Sequence, residues 1–153
     1  REFITQSLLD ALMPEYRPIR LSQAKNSMTL SIRSVKVDFI RHHYPLINPV
    51  QSIDKIRMAS VEDIAAMKLN STMNRGSKKD FYDIVELLQH FTIEKLMSFY
   101  SQKYDSSSEF ILLKSLVYFD DAEDEPDPVT LRDLDWKSVK SKISQAVNNF
   151  IQH

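Results

Sequence analysis

Lys68 and Arg75 are the residues whose type and spacing point most directly to a ligand. They stand seven positions apart, so on an α-helix they share one face and lie roughly 10 Å apart along its axis. Lysine offers a point charge and arginine a bidentate fork, and together these suit a polyphosphate better than a single carboxylate. The alternative is that Lys68 only extends its ammonium into solvent, and that Arg75 only interacts favourably with the C-terminal end of the helix dipole.

The densest polar cluster of the chain follows at residues 75–83, RGSKKDFYD. The single glycine predicts a tight turn between two helices, with three cations and two carboxylates around it. Asp80 and Asp83 have two interpretations. In the first, their carboxylates bind Lys68 or Arg75 and position these cations for a ligand. In the second, Asp80 only caps the N-terminus of its own helix and Asp83 is only exposed on that helix.

Asp38 is a further candidate, in the strand-like segment 35–40. A carboxylate in such an apolar run is costly to desolvate unless it is paired or bound to a metal ion. One interpretation is therefore that Asp38 binds a metal ion or acts as a general base. The other is that Asp38 lies on the solvent-exposed polar face of an edge strand. His42-His43 is a weak metal signal, because adjacent strand residues point to opposite faces.

The composition excludes several classes of function. The chain has 153 residues but one glycine and no cysteine. A P-loop, a dinucleotide-binding turn and a kinase-type flap each need several glycines, so none can be built here. Disulfides, thiolate zinc sites and cysteine nucleophiles are also excluded, which fits a reducing, cytoplasmic setting. No apolar run approaches the length of a membrane span, so no membrane partner is expected.

Charge is distributed unevenly along the chain. Residues 1–79 hold 13 Lys and Arg against 7 Asp and Glu, whereas residues 80–153 hold 7 against 14. The basic first half favours an anionic substrate. Much of the acidic half is one run, residues 120–127, which we interpret as a solvated connector or a contact for something basic.

The periodicity predicts an α+β fold, with short strands in the first third of the chain and helices after it. A helix over 4–13 ends before Pro14. Three strands are predicted at Ile19–Leu21, Ser27–Arg33 and Val35–Arg41. After Pro49 the pattern is helical throughout, with helices over 61–75, 77–90, 92–104, a segment containing Phe110, Leu113 and Val117, and a last one from Trp136 to Phe150.

Two helix starts show capping patterns. Ser60 with Asp63, and Ser77 with Asp80, each place a carboxylate three residues after a serine. Gly76 is suited to the left-handed residue that closes a helix. The aromatic and methionine residues at helical spacing are expected in the core.

Three segments, residues 35–40, 59–69 and 75–84, resemble the AbiEii/AbiGii-type nucleotidyltransferase toxins. Residues 113–123 resemble the C-terminal helical part of one branch of that family. The resemblance spans about residues 28–140. It implies a partial polymerase-beta-like nucleotidyltransferase sheet in residues 1–50 and a C-terminal helical domain in residues 51–153.

In such a fold, a Gly-Ser turn and an Asp-x-Asp pair bind nucleotide and metal, and a third aspartate lies on a neighbouring strand. Asp38 matches this third position, which implies a catalytic, metal-binding carboxylate. Lys68 matches the helix lysine that contacts NTP phosphates, and Asp80 matches the acidic residue of the following motif, so the resemblance implies a catalytic role for both. The rest of this motif, implied to help bind the nucleotide, is Arg75, Lys79 and Asp83.

The implied reaction is attack of a hydroxyl on the α-phosphate of an NTP, with pyrophosphate leaving and two Mg²⁺ ions assisting. The resemblance implies an RNA acceptor, such as the tRNA 3′ end, and an antitoxin protein as partner. No Gly-Ser turn or Asp-x-Asp precedes Asp38, and residue 1 is not Met. We therefore expect that the chain begins after these motifs and is inactive as a fragment.

A non-catalytic helical protein-interaction module is the alternative function. It would dock a partner through the acidic run or through the basic turn. A metal-dependent nuclease would need a second carboxylate cluster, and none is recognisable in the sequence.

Overall fold

The computed structural model describes residues 5–104 and 109–152. The chain forms two compact units, one up to His43 and one from Tyr44 onward. Small antiparallel sheets are followed by helices, so the predicted α+β class is confirmed. None of the helices in the described ranges is long and apolar enough to cross a membrane.

The first unit contains one helix and three antiparallel strands in the order β1-β2-β3. They are α1 (Thr5–Tyr16), β1 (Ile19–Ala24), β2 (Ser27–Ile32) and β3 (Val35–Ile40), so all three predicted strands are confirmed. Met28 and Leu30 of β2 are buried. Because β3 pairs with β2 alone, it is an edge strand of this sheet.

The predicted end of the first helix before Pro14 is wrong, because α1 continues to Tyr16 with Pro14 inside it. Proline removes one backbone hydrogen bond, and the carbonyl that loses its partner belongs to Asp10. Both residues are exposed, so water can satisfy that carbonyl. Ile4, the predicted first helical residue, lies outside the described residues.

The second unit opens with a hairpin that the helical interpretation missed. Strands β4 (Gln51–Ile53) and β5 (Ile56–Met58) pair antiparallel across Asp54-Lys55. Both turn residues have positive φ, 49° and 67°, as a type I′ hairpin requires. The sequence signal is weak, because such turns usually contain glycine or asparagine.

Five α-helices build the rest of the second unit within the described ranges. They are α2 (Val61–Asn74), α3 (Lys78–Leu87), α4 (Ile93–Tyr104), α5 (Glu109–Leu116) and α6 (Trp136–Ile151), with a 3₁₀ turn at Asp120–Ala122. Their apolar faces enclose one core, to which every helix contributes, including Leu69, Ile84, Leu96, Leu116 and Ile143. Apolar faces that meet in this way supply most of the stability of such short helices.

The helix ends around α2 follow the predicted signals. The Ser60 hydroxyl accepts a hydrogen bond from the Asp63 N–H at 3.0 Å, and Gly76 has φ of 55°. The second capping pattern is wrong in detail, because Ser77 makes no side-chain bond to a helix N–H. Its hydroxyl donates to the Asp80 carboxylate instead, at 2.7 Å.

The predicted apolar face of α5 is wrong for Phe110 and Val117, which are exposed, whereas Leu113 is partly buried and packs against the core. Phe110 is 75% exposed, and the buried residues are Leu112 and Leu116. These two lie four positions apart and point into the core as an i, i+4 pair. The predicted face is displaced from the buried face because α5 is apolar on most sides, so its periodicity is ambiguous.

Candidate functional site

The polar turn between α2 and α3 brings together four of the predicted residues, Lys68, Arg75, Asp80 and Asp83. The Arg75 guanidinium donates two hydrogen bonds to the Asp80 carboxylate, from Nε at 2.8 Å and from Nη2 at 3.0 Å. Lys68 Nζ lies 3.6 Å from the same carboxylate. The helix face shared by Lys68 and Arg75 therefore converges on one acidic side chain.

Asp80 is fully enclosed, with no exposed side-chain surface. Burial alone would raise the pKa of its carboxyl, but the pKa is lowered, because hydrogen bonds from Arg75 and Ser77 and the positive charges of Arg75 and Lys68 outweigh burial. Asp80 is thus ionised near neutral pH. Since its oxygens already accept from Arg75 and Ser77, it is placed to orient the two cations.

The two cations are more accessible than the aspartate that holds them. The Lys68 side chain is 31% exposed and that of Arg75 is 55% exposed. Lys68 also pairs with the half-exposed carboxylate of Asp83. Lys79 is exposed on the first turn of α3. The arrangement can offer an ammonium, a guanidinium and a second ammonium to an anionic group.

Asp38 lies in the other unit, on the edge strand β3. Its Oδ1 accepts a 2.6 Å hydrogen bond from the Thr29 hydroxyl, and its Oδ2 is 3.5 Å from Lys36 Nζ. The Thr29 hydrogen bond is the main influence that lowers the pKa of its carboxyl, with the charge of Lys36 adding to it. Asp38 is therefore ionised and 43% exposed, which both earlier interpretations allow.

A magnesium site is not complete in this part of the molecule. Within residues 5–104 and 109–152, no three His, Asp or Glu side chains are grouped so that they could hold a metal ion. Asp38 supplies a single carboxylate. Mg²⁺ in proteins is bound by carboxylates together with water and substrate phosphates. The described residues therefore do not fit a two-ion site by themselves.

Lys78 is a residue that sequence reasoning missed. Its ammonium is buried and donates to the backbone carbonyls of Glu123 (3.2 Å) and Glu125, and it lies 3.2 Å from the Asp127 carboxylate. Its backbone N–H, one of the free donors at the start of α3, donates to the Glu125 carboxylate at 2.7 Å. Trp136 covers the ammonium from one side, at 5.2 Å from the ring centre.

The acidic run is exposed apart from Ala122, as a solvated connector predicts, and the basic groups that it contacts belong to its own chain. Glu123 pairs with Lys140 at 2.8 Å and accepts a hydrogen bond from the Trp136 indole N–H at 2.9 Å. The run is thus partly held against the basic turn of its own chain, through Lys78. The partners lie about 45 residues apart in sequence, so no local pattern could have revealed the pairing.

A second missed element is the buried ion pair of Asp63 and Lys103. Both side chains are fully buried, 2.5 Å apart. Asp63 also accepts from the backbone N–H groups of Ile47 and Asn48. Burial opposes its ionisation, but the hydrogen bonds from Lys103, from a serine and from these amides lower the pKa to about 2. The pair fixes the start of α2 against α4.

The α+β fold, with a lysine and an arginine held by one buried aspartate, agrees with the class that the sequence indicates, a nucleotidyltransferase. A family model described as "Nucleotidyl transferase AbiEii toxin, Type IV TA system" matches residues 5–151, and the chain belongs to this family. The suspected family is thereby confirmed.

An uncharacterized protein of Aquifex aeolicus (strain VF5) is similar to this chain. The two are 32% identical over 139 residues, which is 87% of this chain and 66% of the relative. The chain thus spans just under two thirds of the length of that protein. No solved structure matches the present chain.

Proposed function

We propose that the intact protein is a nucleotidyltransferase that transfers a nucleotide from an NTP to an RNA hydroxyl, with the 3′ end of tRNA as its acceptor. The observation that carries the proposal is the convergence of Lys68 and Arg75 on Asp80, which presents two partly exposed cations on one surface. Membership of the AbiEii family supports the reaction class. An antitoxin protein is the proposed partner that restrains the enzyme.

Lys68 is the proposed contact to the NTP phosphates. Its ion pair with Asp83 is partly exposed, and such pairs contribute on the order of 1 kcal/mol or less. A phosphate oxygen can therefore replace Asp83 at little cost. The contact to Asp80 is different, because that carboxylate is enclosed and stays in place when the ligand binds.

Asp80 is the proposed positioning residue of the site. Its bidentate bond with Arg75 fixes the plane of the guanidinium, and its charge holds Lys68 on the same side. A planar fork held in this way is suited to phosphate oxygens. Arg75, Lys79 and Lys68 then share the negative charge of the phosphate chain.

Asp38 is the proposed metal-binding carboxylate of the intact protein, and Mg²⁺, which would stabilise the charge of the leaving pyrophosphate, is the proposed cofactor. The described residues lack the other carboxylates of such a site. We accordingly expect the 153 residues alone to show no nucleotide transfer. Turnover by these residues alone would refute this part of the proposal.

The test is transfer of label from each of the four NTPs to total RNA by the intact protein. We expect labelled RNA with at least one NTP, and loss of labelling in Asp38→Ala. Thr29→Val is a matched control, since it removes the hydrogen bond to Asp38 but keeps the carboxylate. Absence of labelling with every NTP, or Asp38→Ala equal to wild type, would contradict the proposal.

A further inference from the structure

A cleft adjoins the charged turn, and its apolar side has no role in the site described above. It has a volume of about 540 Å³ and lies between α3 and the segment 128–134. Pro128, Val129, Leu131 and Leu134 line one wall. Val129 and Leu131 are fully exposed, and exposed apolar side chains grouped at a cleft indicate a binding surface.

The segment that carries the apolar wall contacts the second unit's helices through surface hydrogen bonds of Arg132. Arg132 donates from Nη2 to the Glu86 carboxylate at 2.8 Å and from Nη1 to the Gln89 amide oxygen at 2.9 Å. Glu86 lies on α3, and Gln89 lies in the turn that follows this helix. The Thr130 hydroxyl donates to the Arg132 carbonyl at 2.6 Å and tightens the segment locally. The cleft is therefore built by defined contacts between the segment and the helix.

The cleft is continuous with the proposed phosphate site. Asp83 lines it and at the same time pairs with Lys68. Lys79 lines it as well, and also lines a neighbouring cleft of about 500 Å³ that contains Arg75 and Ser77. A ligand anchored by cations at the turn can therefore extend along α3 into the apolar cleft.

Charge decides which part of a ligand fits there. Asp83 and Glu86 face this cleft together with Lys79 and Arg132, so its acidic and basic side chains balance in number. A cleft without an excess of positive charge does not favour an RNA backbone, whereas a neutral group with apolar faces and hydrogen-bonding edges suits its mixture of aliphatic and polar side chains. The volume lies in the range of pockets that bind small ligands.

We infer that this cleft binds the nucleoside part of the NTP, whose phosphates lie at Lys68, Arg75 and Lys79. The base faces contact the aliphatic wall around Leu131, and the base or ribose edges donate to Asp83 and Glu86. This inference rests on the proposed function, because it assigns a second part of the same substrate site.

The experiment compares the affinity of the intact protein for each Mg-NTP and for Mg-tripolyphosphate, which has no nucleoside. The variant is Leu131→Asp, a fully exposed position where the change does not disturb the core. Phe110→Asp is the matched control, because Phe110 is also exposed and lies outside the cleft. Circular dichroism checks that both variants fold.

We expect Leu131→Asp to weaken NTP binding about tenfold, since it removes one aliphatic contact and adds a charge. Tripolyphosphate binding should stay within twofold, and Phe110→Asp should change neither affinity. Equal weakening of both ligands, or unchanged NTP binding, would overturn the inference. A higher KM for RNA with unchanged NTP binding would also overturn it, in favour of the acceptor.

The same measurements distinguish failure of the proposed function from failure of this inference. If the wild-type protein binds no NTP and transfers no label, the proposed function fails and the inference fails with it. If wild type transfers label and Leu131→Asp keeps full NTP affinity, the inference alone fails.

Discussion

Asp80→Asn is the perturbation that most sharply separates a positioning aspartate from an accessory one. The change keeps the shape of the side chain but removes its charge. The Asn amide group also turns a donor toward a guanidinium that needs an acceptor. Arg75 then loses at least one of its two bonds to Asp80, and Lys68 loses a counter-charge inside the same cluster.

The size of the effect follows from the burial of the partners. A hydrogen bond to a charged group contributes about 1.5–3 kcal/mol to stability. Asp80 is fully enclosed, but the Arg75 side chain is 55% exposed, so water recovers part of the loss. We expect Asp80→Asn to lower the free energy of unfolding by about 2 kcal/mol. Asp83→Asn, at a half-exposed carboxylate, should cost less than about 1 kcal/mol.

Urea unfolding at pH 7, followed by tryptophan fluorescence, measures both variants. Trp136 is the single tryptophan of the chain, and its ring centre lies 5.7 Å from that of Phe81 in the core of the second unit. With an unfolding slope of about 2 kcal/mol per molar urea, the Asp80→Asn midpoint falls by about 1 M. Equal midpoints for Asp80→Asn and wild type, or equal losses for the two variants, would refute the reasoning.

Two further predictions concern the scaffold of the site. Asp63→Asn should cost about 3 kcal/mol at pH 7, because it leaves the Lys103 ammonium buried without its counter-charge. The pKa of Asp63 is lowered to about 2, so this stability is present above about pH 4 and is lost as pH falls toward 2; a difference from wild type that is unchanged at pH 2 in urea titrations would contradict this. Gly76→Val should lower the free energy of unfolding by about 2 kcal/mol, because φ is 55° at this residue and valine is strained there. Gly76→Asn should have a melting temperature near that of wild type. Equal melting temperatures for wild type and Gly76→Val would contradict this prediction.

Local patterns in the sequence predict those parts of the fold that depend on neighbours in the chain. The N-cap of α2 at Ser60 and the turn at Gly76 just after the helix follow from capping and from a left-handed glycine. The convergence of Lys68 and Arg75 follows from seven-residue spacing on one helix. Asp80 lies only one turn beyond, so the cluster could be anticipated before the structure.

Contacts between distant residues could not be predicted in this way. Lys78 binds backbone carbonyl groups about 45 residues away. Every residue has a backbone carbonyl, so the residue types in the sequence do not indicate which ones accept this hydrogen bond. Asp63 and Lys103 are 40 residues apart, and each looks like an ordinary surface charge in its own helix. The structure groups them because α2 and α4 pack together, which is a property of the whole unit.

The roles of the site residues stay predictions. Family membership supports the reaction class, whereas the positions of Lys68 and Asp80 support a division between a contacting and a positioning residue. Asp38 belongs to the other compact unit, so its metal-binding role depends on the resemblance and needs its own test.

Label transfer by Lys68→Ala in the intact protein tests the central claim most directly. Lys137→Ala, at an exposed lysine of α6, is the matched control, and labelled NTP with total RNA is the substrate pair. We expect Lys68→Ala to lower the rate of transfer about 100-fold, as removal of one charge-stabilising group does in other enzymes, while Lys137→Ala stays within twofold of wild type. Wild-type transfer by a folded Lys68→Ala variant would contradict the account.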